Sequence, residues 1–166
     1  MDRSTVIAAG TVATATVVGS LLLGSGTATA APTCVSPPGT DTAVTDGRAA
    51  CRAISDVSGN SLAIGAGGVG FADAATHGSA LALGFDGGVG AVEARLGAGV
   101  AIAVGTDSVA LTSTPGWAFV VSGPGAQSFA GDDEQGVSCA GGLGLAVKVL
   151  AGQACFHDGV STWTLG

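Results

Sequence analysis

Leucines and branched apolar residues alternate with alanines along the middle of this chain, in runs too short for a helix. In Gly78-Ser79-Ala80-Leu81-Ala82-Leu83-Gly84, the pair Ala80 and Ala82 alternates with Leu81 and Leu83. The same two-residue period runs through Ser61-Leu62-Ala63-Ile64-Gly65 and Val100-Ala101-Ile102-Ala103-Val104-Gly105. Alternation over four or five positions, broken by Gly, predicts short strands joined by tight turns. A second element recurs as Gly67-Gly68-Val69-Gly70-Phe71-Ala72-Asp73-Ala74 and Gly87-Gly88-Val89-Gly90-Ala91-Val92-Glu93-Ala94. A period near twenty residues is the mark of stacked coils, each able to bury its apolar face only against its neighbours. The expected fold is therefore all-β, a short parallel β-roll or solenoid over residues 58–115. Gly65, Gly84 and Gly105 each follow an alternating run, and a left-handed or strained backbone is expected at all three.

Outside the repeats the pattern changes. Residues 31–57 hold Cys34 and three Pro without a helical period and read as an extended, disulfide-bearing lead-in. Within it, Gly47–Ile54 forms either a short helical turn or the approach to the first strand. After Pro115 the repeat degrades. Trp117–Val121, Gln127–Ala130, Leu143–Leu150 and Ser161–Leu165 still read as strands, and Asp132–Gln135 as an acidic turn. Larger side chains gather here, so residues 116–166 are expected to cap the open end of the coil, which would otherwise pair with other chains.

Residues 1–30 read as a secretory signal peptide. Arg3 provides a basic start, Thr5–Gly24 is uncharged and mostly apolar, and Ala28-Thr29-Ala30 fits a small-x-small cleavage site. Cleavage there starts the mature chain at Ala31 and leaves no membrane segment. Cys34, Cys51, Cys139 and Cys155 remain, an even number that after export implies two disulfides. Of the three connectivities, the local one (Cys34–Cys51 and Cys139–Cys155) is preferred, because each bond closes a loop of a size worth ~3 kcal/mol. The spacing does not suit zinc.

Composition narrows the function classes. Charged residues make up only 10% of the chain, aromatics 4%, and Tyr is absent, while there are 30 Gly. Such small-residue content suits narrow, closely spaced backbone layers. The net charge is −7, and Arg48, Arg52, Arg95 and Lys148 are too few and too scattered to bind nucleic acid or anionic lipid.

The runs Asn60–Gly65 and Gly78–Gly84 resemble the S-x-A-x-G head repeats of trimeric autotransporter adhesins. That resemblance implies a left-handed parallel β-roll and an adhesive role. As a whole the chain resembles small exported, four-cysteine, Gly/Ala-rich actinobacterial proteins of uncharacterised function, which implies export and disulfides. Gly67–Gly70 and Gly87–Gly90 also match the start of the calcium-binding repeat G-G-x-G-x-D. Here, however, Asp73 and Glu93 arrive one position late, and a one-residue slip sends a strand side chain to the opposite face. Both read instead as exposed turn charges.

Candidate chemistry is sparse. His157-Asp158 is an adjacent His–acid pair and Ser138 a conceivable nucleophile, but Gly136-Val137-Ser138-Cys139-Ala140 lacks the G-x-S-x-G elbow. Neighbours on a strand also point oppositely, so Asp158 could not orient His157. The pair reads as surface loop and His77 as a solvated turn residue. Asp132, Asp133 and Glu134 stand too close together to flank a glycosidic bond, Lys148 follows no phosphate loop, and Thr106, Thr112 and Thr114 form no regular ladder. No catalytic residue, metal or cofactor is expected.

The expected function is a secreted or cell-envelope-associated, non-enzymatic structural, adhesive or interaction module with an extracellular or envelope partner, self-association included. The alternative is a small ligand-binding domain that uses an aromatic cap around Trp117, Phe119 and Trp163. An exposed apolar patch along one solenoid face would favour the first, and a concave site at the cap the second.

Overall fold

The computed structural model describes residues 30–166 other than 96–97, 106–107 and 133, and only the backbone of 95 and 113–115. The signal-peptide expectation lies outside the described residues. Ala31–Gly166 forms one compact unit.

Each alternating run is a strand. In chain order they are β1 (Thr33–Ser36), β2 (Asp41–Asp46), β3 (Ala49–Ser55), β4 (Asn60–Ala66) and β5 (Val69–Ala75). There follow β6 (Ser79–Phe85), β7 (Val89–Arg95), β8 (Ala98–Ala103), β9 (Val109–Pro115) and β10 (Ala118–Ser122). The last are β11 (Ala126–Ala130), β12 (Val137–Gly141), β13 (Leu143–Lys148), β14 (Gln153–Asp158) and β15 (Thr162–Leu165). From β3 to β11 the chain passes alternately between two sheets and pairs in parallel with the coil before it, a β-solenoid of about four turns. Asn60 lies beside Ser79, and Ser79 beside Ala98, so on this side the repeat step is nineteen residues.

Both ends are closed by reversal. β1 and β2 run antiparallel to β4 and β3, and β12 and β13 run antiparallel to β11 and β10. β14 and β15 then extend one sheet as hairpins. The result is an eight-stranded sheet, β1-β4-β6-β8-β10-β13-β14-β15, facing a seven-stranded sheet, β12-β11-β9-β7-β5-β3-β2. Reversed strands leave no parallel coil end open to continue the stack. The solenoid runs on through β10 and β11, beyond the expected boundary at residue 115, so of residues 116–166 only β12–β15 form the C-terminal cap. Residues 31–57 prove to be more than a lead-in, since they supply an N-terminal cap and the first solenoid strand, β3. Gly47–Ile54 is hairpin and strand rather than helix.

The interior is built from the small half of each alternation. Ala63, Ala82, Ala101 and Val120 point inward from one sheet, and Ala53, Ala72 and Val92 from the other. The larger half (Leu62, Ile64, Leu81, Leu83 and their equivalents) points outward. Disulfides Cys34–Cys51 and Cys139–Cys155 cross this interior from sheet to sheet, one at each end, and no free cysteine is present among the described residues. Their Cα–Cα distances of 5.7 and 5.8 Å measure how closely the sheets approach there, well inside the ~10 Å of ordinary stacked sheets.

Gly105 has the left-handed backbone expected of it, whereas Gly65 and Gly84 do not. Gly65 and Gly84 are register partners inside β4 and β6, and neither has a positive φ. A Cβ on Gly84 would lie 2.2 Å from the Val69 carbonyl oxygen, so close backbone approach requires glycine there. The residue beside Gly84 in the next coil is Ala103. Gly105, with φ 71°, instead occupies the following corner, where the equivalent residues Gly67 and Asp86 also have positive φ.

The opposite corners are tied by Asp56. Its Oδ1 accepts from the Ser58 backbone N–H and hydroxyl, each at 2.8 Å, and its Oδ2 accepts from the Thr76 N–H of the next coil. The Ser58 hydroxyl oxygen accepts from the His77 N–H at 2.9 Å. Thr76 and His77, both at positive φ, are thereby held in a left-handed turn. The Thr76 hydrogen bond, followed by those from Ser58, lowers the Asp56 carboxyl from 3.8 to about 2. A carboxyl depressed on folding stabilises above its unfolded value, and that contribution is lost as pH falls through the folded value. Asp56→Asn should therefore lower Tm at pH 6, and the gap from wild type should close between pH 4 and pH 2. Thermal melts across that range test this, and a gap independent of pH would refute it.

Candidate functional site

Because the alternation turns its small half inward, the outer face of the eight-stranded sheet collects the large half. Register places these residues in rows. One row runs from Val35 through Leu62, Leu81, Val100, Phe119 and Val147 to Ala154 and Leu165. The next runs from Thr33 through Ile64, Leu83, Ile102, Val121 and Leu145 to Phe156 and Trp163. The rows cross all eight strands, and their one polar member is Thr33 at the edge. Side chains within a row shield one another, yet Phe119 remains 38% exposed, Trp163 52% and Leu165 69%. Phe156 and Trp163 stack with ring centroids 5.5 Å apart.

Charge is kept off this face. On the strands of this sheet, among the described residues, Asp158 is the one charged side chain pointing outward. It sits at the end of β14, where the Ser161 and Val160 N–H groups bond its carboxylate and hold it below the usual range. The seven-stranded sheet differs. Arg52 on β3 and Asp41 on β2 pair across its outer face at 2.7 Å, and that hydrogen bond holds the Asp41 carboxyl below the usual range. Asp73 and Glu93 also belong to this outer face, as register partners on β5 and β7. They are strand residues and not the turn charges expected.

The aromatic cap does not form as one cluster. Trp117 precedes β10, Phe119 lies on β10 and Trp163 on β15, with β13 and β14 between them. All three belong to the same outer face.

The residues tested for catalysis are dispersed. Ser138 is exposed on β12 at the outer side of the seven-stranded sheet, whereas His157 is buried on the inner side of β14. His157 is thus an inward strand residue and not part of a surface loop. Its Nδ1 stands 3.0 Å from the Gly142 carbonyl oxygen and 2.9 Å from the Gly159 nitrogen; it donates to the first or accepts from the second according to tautomer. Asp158 points to the opposite side. His77 is exposed in the turn that Asp56 holds. Asp132 closes the acidic turn, its Oδ1 accepting from the Glu134 and Gln135 N–H groups; Asp133 lies outside the described residues. Lys148 is 3% exposed, and its Nζ donates to the Asp132 carbonyl at 2.8 Å, fastening that turn to the cap. Thr112 is buried, and Thr106 lies outside the described residues. Among the described residues no His, Cys, Asp and Glu side chains cluster as a metal site, and no helix is long and apolar enough to cross a membrane.

Sequence reasoning missed the apolar rows themselves. Their signal was present as the Leu81/Leu83 and Val100/Ile102 alternation, but the alternation alone does not say which half faces water. No curated protein and no solved structure matches the chain. One family model does, over residues 1–158, and the chain therefore belongs to the Family of unknown function (DUF6764).

Proposed function

We propose that this protein is a secreted or envelope-associated, non-enzymatic structural or interaction module whose working surface is the outer face of the eight-stranded sheet. The observation that carries this reading is the pair of apolar rows running unbroken from β4 to β15. Water-exposed apolar area is costly to maintain, at ~25 cal/mol per Å², and a contiguous patch of this extent marks an interaction site. Two disulfides in so short a chain suit an oxidising compartment, in support of an extracellular setting. An adhesive role fits the same surface, since adhesion needs a persistent face on a rigid frame. Phe119 and Trp163, named in the small-ligand alternative, are members of these same rows.

The test is a double substitution at the centre of the rows, Leu83→Lys with Ile102→Lys. Both side chains point outward, so the fold is expected to persist. Native sizing of envelope extracts from producing cells should show the wild-type protein in an assembly and the variant at the size of the lone chain. Leu111→Lys, on the outer face of the other sheet, should behave as wild type. An assembly that the double variant leaves intact would overturn the reading.

A further inference from the structure

We infer that the partner on this face is a second copy of the same chain, seated face to face by a twofold axis. The inference rests on the reading of this sheet as the working surface and names its occupant.

Three observations select a copy over another partner. The first is area. Eight strands at ~4.8 Å and about three outward positions per strand at ~6.6 Å span about 38 by 20 Å, or about 760 Å². A stable interface of ordinary size covers about 800 Å² on each partner, so one face on its twin is sufficient. The second is charge. The chain carries −7, and like-charged copies repel unless their contact surface is neutral. Here Arg52, Asp41, Asp73 and Glu93 stand on the opposite sheet, Asp56 and Asp86 occupy corners, Asp158 stands beside the rows at the end of β14, and the rows themselves hold no charge. An acidic or basic partner finds no complement in these rows, whereas an identical face brings only Asp158, at the end of β14 in each copy. The third is shape. Rows of side chains rising from paired strands form ridges that interdigitate with the ridges of another sheet, as the inner faces of a β-sandwich do. A twofold axis through the face brings each row onto its equivalent and closes the assembly at two. Asn60 and Ser79, exposed at the strand starts, supply part of a polar rim around the apolar centre.

A lipid surface is the competing occupant of an apolar face with Trp at its margins. Surface-bound proteins flank such a face with Lys and Arg. On the strands of this sheet Lys148 is the one such residue, and it points inward.

Sedimentation velocity on the full exported protein, purified without reductant, tests the inference. The wild type should be a dimer at micromolar concentration. Leu83→Lys with Ile102→Lys should raise the dimer Kd at least 100-fold, and Leu111→Lys should leave it within 3-fold. Val121→Glu, on a different strand of the same face, should also raise Kd at least 100-fold and stands in if the double variant fails to fold. Circular dichroism and non-reducing peptide mapping confirm folding in each case. Wild type that stays monomeric at 100 µM overturns the inference, as does a dimer that the folded face variants leave unchanged. Monomer that floats with neutral phosphatidylcholine vesicles overturns it in favour of lipid. If purified protein is monomeric while the envelope assembly still dissolves on Leu83→Lys with Ile102→Lys, the face remains the working surface and its partner is another molecule. If neither assembly nor dimer responds, both readings fall.

Discussion

Gly84→Ala is expected to destabilise the protein by about 3 kcal/mol or more, the upper end of what overpacking costs, although it adds a single methyl group. The new Cβ would lie 2.2 Å from the Val69 carbonyl oxygen, 2.5 Å from its carbon and 2.7 Å from its nitrogen. A side chain can rotate away from such an intrusion; the backbone of a paired strand cannot move without breaking its ladder. The approach is reciprocal, since a Cβ on Gly90 would lie 2.2 Å from the Leu83 carbonyl oxygen. In the first coils Gly65 and Gly84 on one sheet and Gly70 and Gly90 on the other form a pinch in which main chain touches main chain. The pinch relaxes in the next coil, where Ala103 takes the position of Gly84 and is fully buried without a clash. Asp86→Asn is the control: the residue is exposed, its φ of 42° suits Asn, and the change should stay within ~0.5 kcal/mol. Urea titration under non-reducing conditions separates the two. A Gly84→Ala midpoint indistinguishable from that of Asp86→Asn would show that the sheets are not in contact there.

This contact explains what the sequence could convey and what it could not. Strand positions and the period near twenty follow from local alternation and from Gly placement, which are properties of neighbouring residues. Which half of the alternation faces inward depends on the distance between sheets, and that is set by the corners. β4 and β5 are joined by Gly67 and Gly68 alone, a link whose reach is about 3.4 Å per residue. Sheets joined so tightly leave room for Ala, Gly and Ser but not for Leu. The usual rule that large apolar residues go inside is thus inverted, and the Leu81/Leu83 and Val100/Ile102 halves are displaced to the surface. Gly105 follows its alternating run as Gly84 does, yet strand register places Ala103 beside Gly84, with the corner beginning afterwards. Lys148 and His157 were illegible for a related reason. Each continues an inward alternation, Gly144-Ala146-Lys148 and Cys155-His157, yet their polarity alone marks them as surface residues. Burial there depends on partners that sequence spacing does not announce: the Asp132 carbonyl for Lys148, and the Gly142 carbonyl or Gly159 amide for His157.

Removing the Cys139–Cys155 bond by Cys139→Ala with Cys155→Ala is expected to cost about 3 kcal/mol, and the damage should be confined at first to the C-terminal end. The bond closes a sixteen-residue separation, for which chain entropy alone gives about 3 kcal/mol. Its position directs where that loss is felt. Cys139 lies on β12, the edge of the seven-stranded sheet, and Cys155 on β14, next to the edge of the other. Few inward side chains larger than Ala hold these strands to the solenoid, so the covalent link substitutes for the core that a wider fold would have. Without it, β12–β15 should fray first and bare the edges of β10 and β11 to other chains. Hydrogen exchange should accordingly rise at Ser138–Ala140 and Ala154–His157 while Ala63, Ala82 and Ala101 stay protected. The mirror variant, Cys34→Ala with Cys51→Ala, releases β1 from β3 across a separation of seventeen and should lose a similar amount at the opposite end. Because the two bonds share no partners, their losses should add within about 0.5 kcal/mol in the quadruple variant. Exchange rising uniformly in either double variant would mean that the solenoid unfolds as one unit and that its two caps are not independent closures.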